Sequence, residues 1–355
     1  MTGRKQLSES IADALRGELE SGRYRAGMAL PSVAELRNRF GAGAFAVRRA
    51  LRKLRDEGFV AIKKHVGAIV LQKAARPWKG RVAFVAVGTP GSYFMHKQAV
   101  LLGERLRKRG YDLTTLFLGS QKDVAIHVDD LLRLAVNGLS FAVCYCSERQ
   151  FVEVFDRAHV PYIILDGFAR DFPNARAVVR VDTRKCYGKL IRALRERRVK
   201  NLLEVDFERV MDRSFKSQFV DAGISVQRLL CKWSYESPMR LVDVRRIGHE
   251  AVRGFFADER HRAHPPDAIL FDDDYLAEGG LVALLEAGLR VPNDVKVVTF
   301  SNKGNELFLG VSLARIENDP ESYADAVAGF ILKLLAGRTA RPPRIGCRFI
   351  PGKSL

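Results

Sequence analysis

Cationic side chains are concentrated on one side of a helical pattern that spans residues 44–56. The apolar residues Val47, Leu51 and Leu54 recur at helical spacing and share one face. The positions between them carry cations, namely Arg48, Arg49, Arg52, Lys53 and Arg55. Such a face can neutralise DNA phosphates, while the first turn of the helix reaches base edges in the major groove. The alternative interpretation is a solvated basic surface on a small helical domain.

A second helical pattern precedes this one and would hold it in place. Val33, Leu36 and Phe40 share one face of a short helix, and the glycine-bearing turn Gly41-Ala42-Gly43 follows. Two helices joined by such a turn, the second of them cationic, are typical of a helix-turn-helix. An amphipathic pattern over residues 7–20 predicts a supporting helix.

The stretch after Gly58 predicts a hairpin with a basic tip. Two short apolar runs, 59–62 and 68–71, enclose the sequence Lys63-Lys64-His65-Val66-Gly67. A hairpin at this place is the wing of a winged helix, which usually lies along the neighbouring DNA backbone or minor groove. Lys63, Lys64 and His65 are therefore candidate phosphate contacts.

The charge of the chain is unevenly distributed. The net charge is +18; residues 1–80 hold 17 Lys/Arg against 7 Asp/Glu, an excess of 10, and the other 275 residues have an excess of 8. The basic density thus lies where a nucleic-acid module would need it. No membrane-length apolar run or signal-peptide core is apparent, and five cysteines lack framework spacing. These features predict a cytoplasmic protein with no membrane partner.

Several short motifs are distributed over residues 7–70. They are Ser21-Gly22, Gly27, Leu30-Pro31-Ser32, Val47-Arg48-Arg49-Ala50-Leu51, Leu54, Gly58 and Gly67-Ala68-Ile69-Val70. Together they resemble the DNA-binding domain of the gluconate-repressor (GntR) superfamily. The resemblance implies a winged helix-turn-helix that binds double-stranded operator DNA. The candidate contacts are Ser32, Ala44, Phe45, Arg48, Arg49, Arg52, Lys53, Lys63, Lys64, His65 and Gly67.

The start of the recognition helix departs from this family. A Ser-Arg-Thr-Thr-like sequence is usual there, whereas this chain has Gly43-Ala44-Phe45-Ala46. Base readout is then expected to rest on Arg48 and Arg49, on apolar contact from Ala44, Phe45 or Ala46, and on DNA shape.

From Arg81 onward, strand-like runs alternate with helical patterns. Val82–Val87 is continuously apolar, as in a strand buried on both faces. Alternation of this kind predicts an α/β fold of two parallel sheets flanked by helices, with a ligand cleft at the carboxyl ends of the strands. The expected organisation is a head at 1–71, a linker at 72–80 and a two-lobed domain at 81–355.

Motifs near the C-terminus identify the kind of two-lobed domain. They are Pro266-Asp267-Ala268-Ile269-Leu270-Phe271, the stretch 273–279 and the stretch 286–295. They resemble the ligand domain of the lactose/galactose-repressor (LacI/GalR) family, which is related to periplasmic binding proteins. A GntR-type head on such a domain resembles arabinose-repressor-type regulators. The resemblance implies a sugar-like effector held by Asp274 and Arg213.

Each candidate effector residue has a competing interpretation. Asp274 could instead cap the helix that follows it, and Arg213 could be an exposed cation. Trp233 and Phe94 follow strands and could stack on sugar rings or belong to the core. Asp182 lies where the chain crosses between lobes, where a structural hydrogen bond is as plausible as a ligand contact.

The sequence contains no phosphate loop, dinucleotide fingerprint, metalloprotease motif or nucleophile elbow. We therefore predict a non-enzymatic regulator without cofactor or metal, whose operator binding is controlled by a small molecule. A homodimer on a near-palindromic site is expected, with repression relieved by ligand as the default and activation left open. The alternative is a cytosolic small-molecule-binding protein, or a carbohydrate-related enzyme, with a basic N-terminal domain.

Overall fold

The computed structural model describes residues 2–71, 78–87, 92–118, 124–145, 149–167, 169–208, 214–232, 241–305, 307 and 310–355. The chain divides into two compact units, Met1–Gly80 and Arg81–Leu355. Residues 72–77, most of the predicted linker, lie outside the described residues, and Gly80 already begins a strand.

The head unit is a winged helix-turn-helix. Its described elements are α1 (Thr2–Glu20), α2 (Val33–Phe40), α3 (Ala44–Asp56), β1 (Val60–Lys63) and β2 (Gly67–Val70). The two strands pair antiparallel, with Val60 opposite Val70. Apolar faces of the three helices meet over Leu15, Leu36 and Val47, which are fully buried.

Local sequence explains how α2 and α3 are joined. Ser32 caps α2 by accepting a hydrogen bond from the Glu35 N–H, and the Glu35 carboxylate accepts one from the Ser32 N–H. Gly41 ends the helix in the left-handed region, at φ 58°, which glycine adopts without strain. The predicted turn is confirmed in its place between the two helices.

The second unit contains two lobes, each built on one sheet. In the N-terminal lobe the strand order is β4-β3-β5-β6-β7, and the pairs β3–β5, β5–β6 and β6–β7 are parallel. Its elements are β3 (Gly80–Val87), α4 (Tyr93–Arg107), β4 (Tyr111–Leu118), α5 (Val124–Val136), β5 (Leu139–Tyr145), α6 (Arg149–Arg157), β6 (Tyr162–Leu165) and β7 (Ala177–Val179).

The C-terminal lobe has the order β10-β9-β11-β12-β13-β15, parallel except for β15. A short parallel pair, β8 with β14, lies where the chain passes between lobes. The elements are β8 (Val181–Asp182), α7 (Arg184–Glu196), β9 (Asn201–Phe207), α8 (Ser214–Asp221), β10 (Ser225–Cys231), α9 (Leu241–Ala257), α10 (Glu259–Ala263), β11 (Ala268–Phe271), α11 (Asp274–Glu286), β12 (Lys296–Asn302), β13 (Ala314–Asn318), α12 (Pro320–Leu335), β14 (Ile345–Gly346) and β15 (Arg348–Ile350).

Helices cover both faces of each sheet, so the predicted fold class is confirmed. Along β3, Val82 and Phe84 face a core shared with α4 and α12, while Ala83 and Val85 face α5 and α6. In the other lobe, α9 and α11 cover one face and α7 and α8 the other. Burial on both faces explains the continuous apolar run of β3.

Helix α12 packs in the N-terminal lobe, although in sequence it follows most strands of the C-terminal lobe. It comes directly after β13 of the C-terminal lobe. Its residues Tyr323, Val327 and Ile331 nevertheless pack into the N-terminal core. The chain returns to the C-terminal sheet at β15, after passing through β14.

Helices α9 and α11 approach each other through glycines. A Cβ atom on Gly279 would collide with the carbonyl oxygen of Arg245, and one on Gly248 would collide with that of Leu276. The absence of a side chain at these two positions permits the close contact between the helices.

Candidate DNA-binding face and effector site

The solvent-facing side of α3 is cationic. Arg48, Arg49 and Arg52 are exposed, whereas Lys53 is half-buried. Within the described part of the chain, none of them forms an ion pair with a carboxylate, although the Nε of Arg52 donates to the Arg48 carbonyl at 3.4 Å. We name the exposed surface formed by Phe45, Arg48, Arg49 and Arg52 the α3 face.

Three carboxylates of the head form ion pairs with arginines outside the α3 face. Glu57 pairs with Arg16 at 2.7 Å, and Asp56 pairs with Arg55 at 2.7 Å. Glu18 binds both Arg23 and Arg39, and the hydrogen bond from Arg39 holds the pKa of Glu18 below its usual value. The α3 cations therefore remain available for an external anion.

The first turn of α3 presents one side chain to solvent. Phe45 is 67% exposed, whereas Ala46 is only 8% exposed and packs into the core of the head. The predicted apolar base contact from Ala46 is therefore wrong, because α3 turns that position inward. Ala44 is half-buried, and Gly43 before it provides no side-chain cap.

The wing and the capping residue also present polar groups. Lys63, Lys64, His65 and Gly67 are exposed at the hairpin tip, where His65 and Gly67 have φ 64° and 96°. Ser32 is exposed, and its hydroxyl oxygen already accepts the Glu35 N–H. The roles of these residues toward DNA stay predictions.

In the C-terminal lobe, polar residues gather where β11 and β12 end. Asp273, not Asp274, caps α11, because its carboxylate accepts hydrogen bonds from the N–H groups of Tyr275 and Leu276. The competing interpretation of Asp274 as the cap is therefore wrong. Sequence alone could not choose between adjacent aspartates whose placement differs by one residue.

The Asp274 carboxylate is buried beside a second acid. It is 2% exposed, and its Oδ2 accepts a hydrogen bond from Nδ2 of Asn305 at 2.9 Å. Burial, reinforced by the nearby negative charge of Asp273, raises the pKa of Asp274 to about 7. Near neutral pH this carboxyl can accept or donate a proton.

In the N-terminal lobe, the corresponding edge is aromatic. Phe94 is half-buried near the start of α4. The centroid of its ring lies 5.2 Å from that of Tyr323 and 6.2 Å from that of Tyr145. Tyr145 ends β5, and its hydroxyl lies 3.5 Å from Oδ2 of Asp166, which follows β6. Phe94 thus contacts the core and also borders the strand ends, as both of its predicted roles require.

Hydrogen bonds of Tyr93 join the two edges. Its N–H donates to the Tyr275 hydroxyl at 3.3 Å, and its hydroxyl donates to the Lys303 carbonyl at 3.2 Å. The start of α4 therefore lies against the start of α11, and the carboxyl ends of both sheets border one region. Parallel sheets bind their ligands at such edges.

Of the remaining predicted effector residues, the structure describes only Asp182. Asp182 is held by Arg184, whose Nη2 lies 2.6 Å from Oδ2, and this pairing lowers the pKa of Asp182 to about 2. Arg213 and Trp233 lie outside the described residues.

Two polar residues of the edge were missed in the sequence. Asn305 holds Asp274, and Asn318 ends β13 with a buried Oδ1 that has no hydrogen-bond partner among the described residues. The general rule that ligands bind beyond strand ends could have pointed to Asn318. Asn305 lies in a loop without a recognisable motif, so its pairing with Asp274 required the structure.

The fold and the two sites define a class: a winged helix-turn-helix joined to a two-lobed domain of the periplasmic-binding type. Residues 7–70 match the family described as bacterial regulatory proteins, gntR family. Residues 197–355 match the periplasmic binding protein-like domain. The chain therefore combines a GntR-type head with a periplasmic-binding-protein-like domain, as predicted.

Two curated relatives are similar over part of their length. The histidine utilization repressor of Klebsiella aerogenes is 31% identical over 108 residues, covering 30% of this chain and 45% of that protein. The HTH-type transcriptional repressor PurR of Escherichia fergusonii is 28% identical over 98 residues, 28% of each chain. The matched segments thus span less than half of these relatives.

A solved structure shares the fold of the two-lobed domain. It is a LacI family transcriptional regulator from Arthrobacter sp. FB24 in complex with lactose, with a TM-score of 0.62 and 18% identity. The match covers 78% of this chain and 99% of that one. Among the described residues of our chain, no helix is long and apolar enough to span a membrane, and no group of three or more potential ligands is arranged for a metal.

Proposed function

We propose that this protein is a transcriptional regulator that binds operator DNA and whose DNA affinity is controlled by a small molecule. The observation that carries the proposal is the α3 face, where exposed arginines lie on the second helix of a gntR-type helix-turn-helix and no described carboxylate pairs with them. Cations in this position neutralise phosphates and reach base edges. The regulator acts in the cytoplasm, where its DNA lies, and is not an enzyme.

The effector is a sugar or sugar derivative that binds between the edges of the two sheets. Half-buried aromatic rings at Phe94 and Tyr145 suit the apolar face of a sugar ring. Asp274 and the Oδ1 of Asn318, which has no hydrogen-bond partner in the described part of the chain, suit its hydroxyl groups, since both accept hydrogen bonds. The lactose-bound structural neighbour supports this class of ligand.

Repression is the default action, since both curated relatives are named repressors. A change in lobe orientation on effector binding would alter the spacing of two heads, which must match half-sites about one helical turn apart. This mechanism requires a dimer.

Substitutions in the head test the DNA assignment. Arg48→Ala should weaken operator binding by about 1–3 kcal/mol, because a base-reading arginine forms paired hydrogen bonds. Lys63→Ala should weaken specific and non-specific DNA equally and reduce the salt slope by about one, as expected for a phosphate contact. Gel-shift titrations at several salt concentrations measure both effects.

The control for these variants is Arg23→Ala, because Arg23 already pairs with Glu18 and lies between α1 and α2, outside the α3 face. Its operator affinity should stay within about twofold of wild type. Unchanged affinity in Arg48→Ala and Lys63→Ala together would refute DNA binding by these surfaces.

Exposed apolar residues on α11 support the proposed homodimer. Leu285 is 77% exposed and Val282 46% exposed, although both are apolar. Leu285→Asp should shift the protein from dimer to monomer at micromolar concentration and reduce full-site DNA binding, because one head covers too few base pairs. Sedimentation and gel shifts measure the two effects.

Val136→Asp is the matched control, since Val136 is 67% exposed on α5 in the other lobe. A wild-type monomer that binds a half-site as tightly as a full site would contradict the dimer.

A further inference from the structure

The exposed side chain at the start of α3 is aromatic and lies among cations. Phe45 does not share the side of α3 that faces the core, which is formed by Ala46, Val47, Ala50, Leu51 and Leu54. Phe45 is instead 67% exposed and, at helical spacing, precedes Arg48, Arg49 and Arg52 on the α3 face. It therefore contributes little to the folded head and is presented wherever the arginines bind.

The rest of the first turn contributes no polar side chain that could read a base. Gly43 has none, Ala44 is half-buried and Ala46 is buried. The one fully presented side chain of this turn, the phenyl ring of Phe45, offers no conventional hydrogen-bond donor or acceptor. Its partner in the major groove must accordingly be apolar.

Base pairs offer one kind of apolar group in the major groove. Thymine presents its C5-methyl group, whereas guanine, adenine and unmodified cytosine present acceptors or an amino donor. A phenyl ring against those polar groups would displace water without replacing its hydrogen bonds, which is unfavourable. The ring would both prefer a methylated pyrimidine and disfavour the other bases.

We propose that Phe45 is a specificity-determining residue that selects a 5-methylpyrimidine at one position in each operator half-site. Flanking Arg48 and Arg49 bind phosphates or guanine, and their charge brings the ring to the groove. The inference rests on the proposed function and commits to duplex DNA as the partner. Thymine and 5-methylcytosine carry the same methyl group, and the test separates them.

The experiment begins with selection of binding sites from random duplexes by the full-length protein. Wild type should enrich thymine at one fixed position per half-site, and Phe45→Ser should lose the preference there alone. Four synthetic duplexes then carry thymine, uracil, cytosine or 5-methylcytosine at that position. Removing the thymine methyl should weaken wild-type binding by roughly three- to tenfold, and methylating cytosine should strengthen it similarly.

Two variants and one DNA control sharpen the result. In Phe45→Ser the thymine and uracil duplexes should bind equally, whereas Phe45→Leu should retain part of the discrimination because it remains apolar. Uracil at a thymine outside the half-sites should have no effect. Since Phe45 is exposed, both variants should melt near the wild-type temperature and keep non-specific DNA affinity.

The outcomes separate this inference from the function on which it rests. If wild type selects no sequence, both the DNA-binding function and the role of Phe45 are refuted. If it selects an operator but shows no methyl effect at any position, or if Phe45→Ser keeps the effect, the regulator stands and the role of Phe45 is wrong. A preference for 5-methylcytosine over thymine would identify methylated DNA as the target.

Discussion

Asp274→Asn is expected to weaken effector binding by about 1.5–3 kcal/mol, roughly 10- to 150-fold, while leaving the protein folded. The carboxylate lies at the strand-end region proposed for the effector, and its loss leaves a ligand hydroxyl with a poorer acceptor. Asparagine can still accept the hydrogen bond from Asn305, so the local packing is retained. Calorimetric titration, with the sugar identified by a thermal-shift screen, measures the change.

The same substitution should remove a pH dependence of stability. The pKa of Asp274 is raised to about 7 in the folded protein, whereas an unfolded aspartate titrates near 4. The folded state therefore binds more protons between these values, and stability falls as pH rises from about 4 to 7. The loss is on the order of 3–4 kcal/mol. Asp274→Asn should lack this decline and melt higher than wild type at pH 8.

Asp258→Asn provides a control of opposite sign. Asp258 is the N-cap of α10, and its hydrogen bonds with Arg260 lower its pKa to about 2. Its contribution to stability is present above about pH 4 and is lost as the pH falls through the folded-state pKa, so replacement should be neutral or destabilising at pH 8.

Normal effector affinity in Asp274→Asn, with an unchanged DNA response, would show that the effector site lies elsewhere.

Gly279→Ala should strongly destabilise the C-terminal lobe. The new Cβ atom collides with the backbone carbonyl of Arg245, so α9 and α11 must separate. Overpacking of this kind costs about 1–3 kcal/mol or more, and it exceeds the roughly 1 kcal/mol that alanine contributes within a helix. The melting temperature should fall by several degrees.

Gly254→Ala is the matched control, because Gly254 is exposed in α9 and a Cβ atom added there would have no neighbour within 4 Å. There the same substitution should raise stability by about 0.5–1 kcal/mol. Equal effects at Gly254 and Gly279 would contradict the tight crossing of the two helices.

Much of the fold could be predicted because its signals are local. The apolar run of β3 follows from burial on both faces of its sheet. Apolar and cationic residues alternate along α3 because only one side of this helix is buried. The turn at Gly41 follows from a backbone conformation that favours glycine.

The site was harder to predict because its details depend on contacts between distant segments. Tyr93 and Tyr275 are joined by a hydrogen bond although 182 positions separate them in sequence. The pairing of Asp182 with Arg184, which binds both of its carboxylate oxygens, could not be predicted from the sequence either. Whether an alanine in the first turn of α3 faces DNA or the core depends on the rotation of the helix about its axis. The structure shows that Ala46 faces the core.

The placement of α12 has a consequence for synthesis on the ribosome. The strands of the N-terminal lobe emerge early, but one face of their sheet is covered in part by Tyr323, Val327 and Ile331, which are translated only after β13 of the C-terminal lobe. Until then α4 alone covers that apolar face, and the core remains incomplete. The N-terminal lobe should therefore finish folding only after α12 has been translated, whereas the winged helix, which precedes both lobes, can fold earlier.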